Sequence, residues 1–261
     1  PPTMPVPVVI LDSCTDRTGF GPDSSEREKQ SSLIMAFKKV SHVLFDLDGL
    51  LIDSEILYTQ AFTTVCAKFG KEFTWDLKSS LLGFQGHECA EKIITTLELP
   101  LSVQEFIKLC QKEYEVLFPK VQSMPGAQRL VEHLHSKGIP IAMATSSAQD
   151  SVDMKMRNFQ EFVGLFHHLT MGSTDPEVTK GKPDPAIFLV CASRFPDKPK
   201  PEDCLVFEDA VNGVKAANAA NMQVVAVPDP RIDPALLSTA TLVLNSLEEF
   251  KPELFGLPAF D

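Results

Sequence analysis

Short apolar runs and amphipathic stretches alternate along most of this chain, and the pattern changes character twice. Residues 1–40 show little apolar periodicity: Pro1, Pro2, Pro5 and Pro7 crowd the start, and Gly19 to Ser32 is polar and mixed in charge. Such a stretch buries too little to offset its ordering entropy, so the expectation is a disordered tail, with Val6 to Leu11 able to add an edge strand. Val43-Leu44-Phe45 is the first continuous apolar run bounded by a turn, as expected of a strand buried on both faces. From Ile52 to Pro119 the period becomes helical. Leu57, Ala61, Phe62, Val65 and Phe69 recur at three- and four-residue spacing, and Gly70 follows as a C-cap. Leu77 to Leu82, Ala90 to Leu97 and Phe106 to Phe118 continue the pattern, broken by Gly83, Gly86 and Pro100. No strand is read in this block.

The remaining chain returns to alternation. Pro125-Gly126-Ala127 opens a helix over 128–136, and Ile139 to Ala144 is an apolar strand ending in Thr145-Ser146-Ser147. Leu165 to Met171 is read as a third strand. Asp184 caps a helix that has Pro185 at its first position. Cys204 to Phe207 is a fourth strand, followed by Glu208-Asp209 and a helix to Ala220, with Asn221 in place for a left-handed cap. Val224 to Val227 and Thr241 to Leu244 complete the strands. Strands alternating with helices predict an α/β fold: a doubly wound, mostly parallel, Rossmann-like sheet with an inserted α-helical domain. The expected division is a tail over 1–40, a core made of 41–56 and 121–261, and the helical insert over 57–120.

Composition narrows the class. With 261 residues, 44% hydrophobic and 23% charged, the chain can build a full core. A net charge of -11 argues against tracking a nucleic-acid backbone, which calls for a basic stripe, while a small anionic substrate remains compatible if the site brings a cation. Cys14, Cys66, Cys89, Cys110, Cys191 and Cys204 are scattered without a C-x-x-C pair, which fits a reducing compartment, and Cys191 and Cys204 sit in apolar runs as small core residues. No apolar run reaches membrane-span length and no signal-peptide core is read, so the expectation is a cytoplasmic protein without a membrane partner.

Three strands end in polar groups: Asp46 and Asp48 after the first, Thr145-Ser146 after the second, Glu208-Asp209 after the fourth. In a parallel sheet these carboxyl ends share one edge, where ligands bind. Taken alone, Thr145-Ser146 is an N-cap, Glu208-Asp209 a solvated turn, and Lys182 in Gly181-Lys182-Pro183 a surface lysine. Together they place four acids and two hydroxyls at one edge, a set that calls for a hard cation. Oxygen ligands without His or Cys suit Mg²⁺, which shares its coordination with water and phosphate, and disfavour zinc.

Phe45-Asp46-Leu47-Asp48-Gly49, Thr145-Ser146, Gly181-Lys182-Pro183 and Glu208-Asp209 appear in the order of the four motifs of the haloacid-dehalogenase superfamily, over residues 41–230. The helical block resembles that superfamily's inserted cap, and the run 207–217 resembles its branch of small sugar-phosphate and nucleotide phosphatases. The resemblance implies a phosphatase in which Asp46 is the nucleophile that forms an aspartyl-phosphate and Asp48 the acid/base. It further implies Mg²⁺ on the Asp46 carboxylate, the Asp48 main-chain oxygen, Asp209 and Glu208, with Lys182, Thr145 and Ser146 on the phosphoryl oxygens. A small phosphorylated metabolite is the expected substrate, pseudouridine 5'-phosphate first, with glycerol and hexose phosphates, a phosphomutase of the same fold, or a non-catalytic phosphate-binding module as alternatives. Gly83, Gln85, His87 and Glu88, on the loop that breaks the helical block, are the candidate readers of the leaving group. Oligomeric state is not readable from the sequence.

Overall fold

The computed structural model describes residues 37–81, 84 and 86–261; most of the expected tail, the Val6 to Leu11 run, Gly83 and Gln85 lie outside the described residues. Phe37 and Val40 are buried, and the Phe37 ring stacks on Phe255 at 4.8 Å, so the packed core begins before residue 41.

The sheet has six strands: β1 (His42–Phe45), β2 (Ile141–Thr145), β3 (Leu169–Met171), β4 (Cys204–Glu208), β5 (Gln223–Ala226) and β6 (Leu242–Val243). All pair in parallel, in the order β3-β2-β1-β4-β5-β6. Chain order reverses beside β1, and a crevice for ligands opens at such a switch point. Every residue of β1, β2 and β4 is buried, as covered faces on both sides require. Side chains alternate between two apolar layers. Val43, Phe45, Met143 and Phe207 pack on one face with helix α5 (Ala127–Ser136); Leu44, Ala144 and Val206 pack on the other with α8 (Ala186–Ser193) and α9 (Val211–Ala219). Phe45 pairs in register with Phe207 and Met143, and its ring lies 4.9 Å from that of Phe207. Burying such a ring is worth about 1.5–3 kcal/mol, which makes the strand that carries Asp46 a fixed platform.

Helices α1 (Glu55–Ala67), α2 (Trp75–Ser79), α3 (Gly86–Leu97) and α4 (Val103–Leu117) form the predicted helical block. They enclose their own apolar cluster, with Val65, Phe73, Ile93, Phe106 and Cys110 at its centre. Ser102 and Glu105 form a reciprocal capping box at the start of α4. The block joins the sheet through two segments that are paired with each other. Asp53 N–H donates to the Gln122 carbonyl, Met124 N–H to the Leu51 carbonyl, and Ile52 bridges Ser123 in antiparallel fashion. Among the described residues no helix is long and apolar enough to cross a membrane.

Most predicted elements are present with shifted ends. The third strand is shorter than its apolar run: Leu165 lies outside it, after the short helix α7 (Gln160–Val163). Gly70 and Asn221 both take left-handed backbone at the predicted helix ends. The stretch before Glu88 is not all loop, because α3 begins at Gly86 and places His87 and Glu88 in its first turn.

Candidate active site

The three strand ends meet at one edge, as a parallel register dictates. Asp46 continues the ladder of β1, its N–H donating to the Phe207 carbonyl, and its side chain is buried. Lys182, brought in by the loop before α8, donates to Asp46 Oδ1 at 2.6 Å, Glu208 Oε1 at 2.6 Å and the Ala144 carbonyl at 3.1 Å. The other Glu208 oxygen accepts from the N–H groups of Asp209 and Ala210. A Cβ at Gly213 would collide with the Glu208 carboxylate, so only glycine lets α9 start this close to it. Burial raises the Asp46 carboxyl to about 7 against the pull of Lys182, with Glu208 and Asp48 pushing the same way as burial. The Lys182 ammonium is held above the ordinary lysine value: burial opposes its charge, and Asp46 and Glu208 outweigh burial.

Asp48 lies in a second network. Its carboxylate accepts from Ser54 Oγ at 2.5 Å, Ser147 Oγ at 2.7 Å and Thr145 Oγ1 at 3.3 Å. Lys155, the last residue of α6 (Gln149–Lys155), donates to both its oxygens at 2.5 and 2.7 Å. Burial would raise the Asp48 carboxyl, but Lys155 and the hydroxyl donors outweigh it and hold the group below the ordinary carboxylate value. Ser54 precedes α1 without capping it; its hydroxyl is spent on Asp48.

Asp209 has the opposite surroundings. Among the described residues no cation pairs with its carboxylate, and burial, then Glu208 and Asp46, push its proton affinity well up. Gly49 takes positive φ beside it, where a Cβ would meet Asp209 Oδ2. Two neighbouring carboxylates that both resist ionising, Asp46 and Asp209, are the donor chemistry a hard cation relieves. Among the described residues no three His, Cys, Asp or Glu side chains close around a common point. Asp46 and Asp209 thus offer two carboxylates to an ion that fills its remaining positions with other oxygen ligands, water and substrate, as Mg²⁺ does.

Above this edge, between the sheet and the helical block, lies a cavity of about 500 Å³ that is partly open to solvent. Its upper wall is apolar and aromatic, with Tyr58, Phe62, Phe73, Phe84, Phe106 and Tyr114. A polar pair enters at the side: Lys78 of α2 donates to Thr59 Oγ1 at 2.6 Å and lies 3.5 Å from Glu55 Oε2.

Asp46, Asp48, Thr145, Ser146, Lys182, Glu208 and Asp209 all line this one cavity. Thr145 is turned toward Asp48, whereas Ser146 lines the cavity and its carbonyl accepts from Ser173 Oγ. His87 lines the cavity from the first turn of α3, and Glu88 is exposed outside its lining. Sequence reasoning missed Lys155 and Ser147, and the turn of the Ser54 hydroxyl to Asp48. Ser147 lay beside a recognised motif, but Lys155 carried no signal beyond a lysine ending an amphipathic helix.

The family model described as haloacid dehalogenase-like hydrolase matches residues 43–227. A probable pseudouridine-5'-phosphatase of Drosophila melanogaster is 49% identical over 223 residues, covering 85% of this chain and 96% of that protein. (DL)-glycerol-3-phosphatase 2 of Arabidopsis thaliana is 43% identical, covering 85% of this chain and 93% of that protein. A solved structure of a putative beta-phosphoglucomutase from Thermotoga maritima superposes with a TM-score of 0.65 at 30% identity, covering 83% of this chain and 97% of that one.

Proposed function

The chain belongs to the haloacid dehalogenase-like hydrolase family, and we propose that it is a Mg²⁺-dependent phosphatase of a small, ring-bearing phosphomonoester, with pseudouridine 5'-phosphate the first candidate. One observation carries this reading: Asp46 sits at the floor of the cavity with a lysine on one of its oxygens, beside an Asp209 carboxylate that has no ion-pair partner among the described residues.

In this reading an Asp46 oxygen attacks phosphorus and the ester oxygen leaves, giving an aspartyl-phosphate. Asp48, held below the ordinary carboxylate value, carries the proton that the substrate's phosphate monoanion brings (its second pKa is about 6) only transiently, as a relay. It passes that proton to the leaving oxygen, then removes one from the water that hydrolyses the aspartyl-phosphate. Inorganic phosphate leaves and Asp46 is restored. Lys182 holds Asp46 and offers its charge to the transferring oxygens, and the Ser146 hydroxyl, just after β2 at the same edge, supplies a further donor. Both Glu208 oxygens are engaged, so Glu208 orients Lys182 rather than holding metal. Asp46, Asp209 and the Asp48 main-chain oxygen would hold Mg²⁺, which would supply the positive charge that lets an anionic nucleophile approach an anionic phosphate. The helical block is the cap that excludes water and reads the leaving group. The five described cysteines are free thiols, which supports a reducing, cytoplasmic setting.

Six aromatic side chains in the cavity wall favour a planar leaving group over glycerol. A panel of phosphomonoesters assayed with Mg²⁺ and ranked by kcat/KM tests this. Pseudouridine 5'-phosphate is expected above glycerol 3-phosphate and hexose phosphates, and a lead for glycerol 3-phosphate reverses the substrate assignment. Isomer formation from a hexose phosphate without phosphate release would make the protein a mutase.

A further inference from the structure

Lys155 is the one fully buried lysine at this edge that the scheme above does not use. Its side chain has no exposure, and lysines are almost never buried unless paired. Its ammonium is committed on every side: both Asp48 oxygens, Ser147 Oγ at 2.8 Å and Tyr58 Oη at 3.2 Å, with the rings of Tyr58 and Phe118 at 5.4 and 5.5 Å. An apolar residue could fill this space with less desolvation, so the charge points to a role beyond packing.

The placement indicates what that role is. Lys182, on the loop before α8, and Lys155, at the end of α6, approach from different elements and divide the acids between them, Lys182 taking Asp46 and Lys155 taking Asp48. Tyr58 lies on α1 and Phe118 just after α4, at the two ends of the helical block where it joins the sheet. Lys155 thus touches Asp48 on one side and both attachments of the block on the other.

We propose that Lys155 is a positioning residue: it fixes the Asp48 carboxylate toward the reacting group and makes that orientation depend on how the helical block is seated. The inference rests on the reading of Asp48 as acid/base. A salt bridge gripping both oxygens removes the rotation about the Cβ–Cγ bond that would otherwise turn them away, and positional errors of about 1 Å cost on the order of 10²-fold in rate.

The test is a leaving-group comparison on the full chain with Mg²⁺. Lys155→Met keeps the length and fills the space. With pseudouridine 5'-phosphate, whose leaving oxygen needs a proton, kcat is expected to fall about 10²-fold with KM within about threefold. With 4-nitrophenyl phosphate, whose leaving group departs without a proton, the rapid-quench burst of nitrophenol is expected to stay within about threefold of wild type. Lys155→Arg should recover part of the loss, and Lys155→Met should add nothing in an Asp48→Asn background. An equal loss for both leaving groups, or losses that multiply with Asp48→Asn, overturns the proposal. If Lys155→Met does not fold, Tyr58→Phe replaces it: a fall in kcat confined to the poor leaving group supports the coupling, and no leaving-group dependence overturns it. Failure of the underlying reading looks different, since Asp48→Asn alone would then leave turnover of pseudouridine 5'-phosphate intact.

Discussion

The cavity has two unlike walls. At the sheet edge nearly every polar atom is committed: Lys182 to Asp46 and Glu208, Lys155 to Asp48, and Ser54, Thr145 and Ser147 to Asp48 again. The helical wall is mostly aromatic rings, held by apolar packing with one ion pair at its side. Charges must be placed to fractions of an ångström to act on phosphorus, and a network of short bonds between strand ends does that. Rings that sort leaving groups need shape more than angle, and packed helices supply it. In the proposed reading, one wall specifies the reaction and the other the reactant.

The sharpest way to break this division is at the nucleophile. Asp46→Asn is expected to lower kcat by on the order of 10⁴-fold or more for every phosphomonoester, because the loss is in the common step. Steady-state phosphate release checks it, and full retention with any ester would remove Asp46 from the chemistry. Lys182→Met should cost about 10²–10³-fold, again regardless of leaving group, as loss of one charge-stabilising donor does. A change on the helical wall should behave differently. Phe84 is 44% exposed, so Phe84→Ala leaves the packed interior intact. It is expected to lower kcat/KM about 2- to 10-fold for a ring-bearing ester, the worth of one ring contact, with glycerol 3-phosphate unaffected. Equal losses for both would mean that the two walls are not separate in function.

The smallest effect is on stability. Asp46 is raised to about 7, so in the metal-free protein it favours the folded state while protonated, and that contribution is lost as pH rises from the unfolded value of 3.8 through 7. A cation bound to the ionised carboxylate reverses the loss. Mg²⁺ should therefore raise Tm by a few degrees at pH 8 and by less at pH 6, measured by calorimetry in matched salt. An equal shift at both pH values would mean that Asp46 does not hold the ion.

The two walls also differed in how far the sequence disclosed them. A parallel sheet fixes where strand ends go, so Asp46, Thr145, Glu208 and Asp209 could be brought together from spacing alone, and the structure unites them. Lys155 could not, because its role depends on the angle at which α6 leaves β2, and no local pattern encodes that angle. Ser54 shows the same limit: its place just before a helix carries no sign that the fold turns its hydroxyl to Asp48. On the helical wall, periodicity located the helices to within a few residues. It could not tell which apolar residues fill the block's interior and which face the cavity, since both kinds recur at the same spacing. Phe106 does both.

The paired segments at residues 51–53 and 122–124 have a consequence for how this architecture can change over time. Because the block enters and leaves through two backbones bonded to one another, its ends stay a fixed distance apart whatever lies between them. The sheet thus offers a socket of constant gauge. Helices of another length or composition can be fitted there without disturbing the catalytic edge, so new substrates can be acquired by exchanging the insert while the reaction is inherited intact.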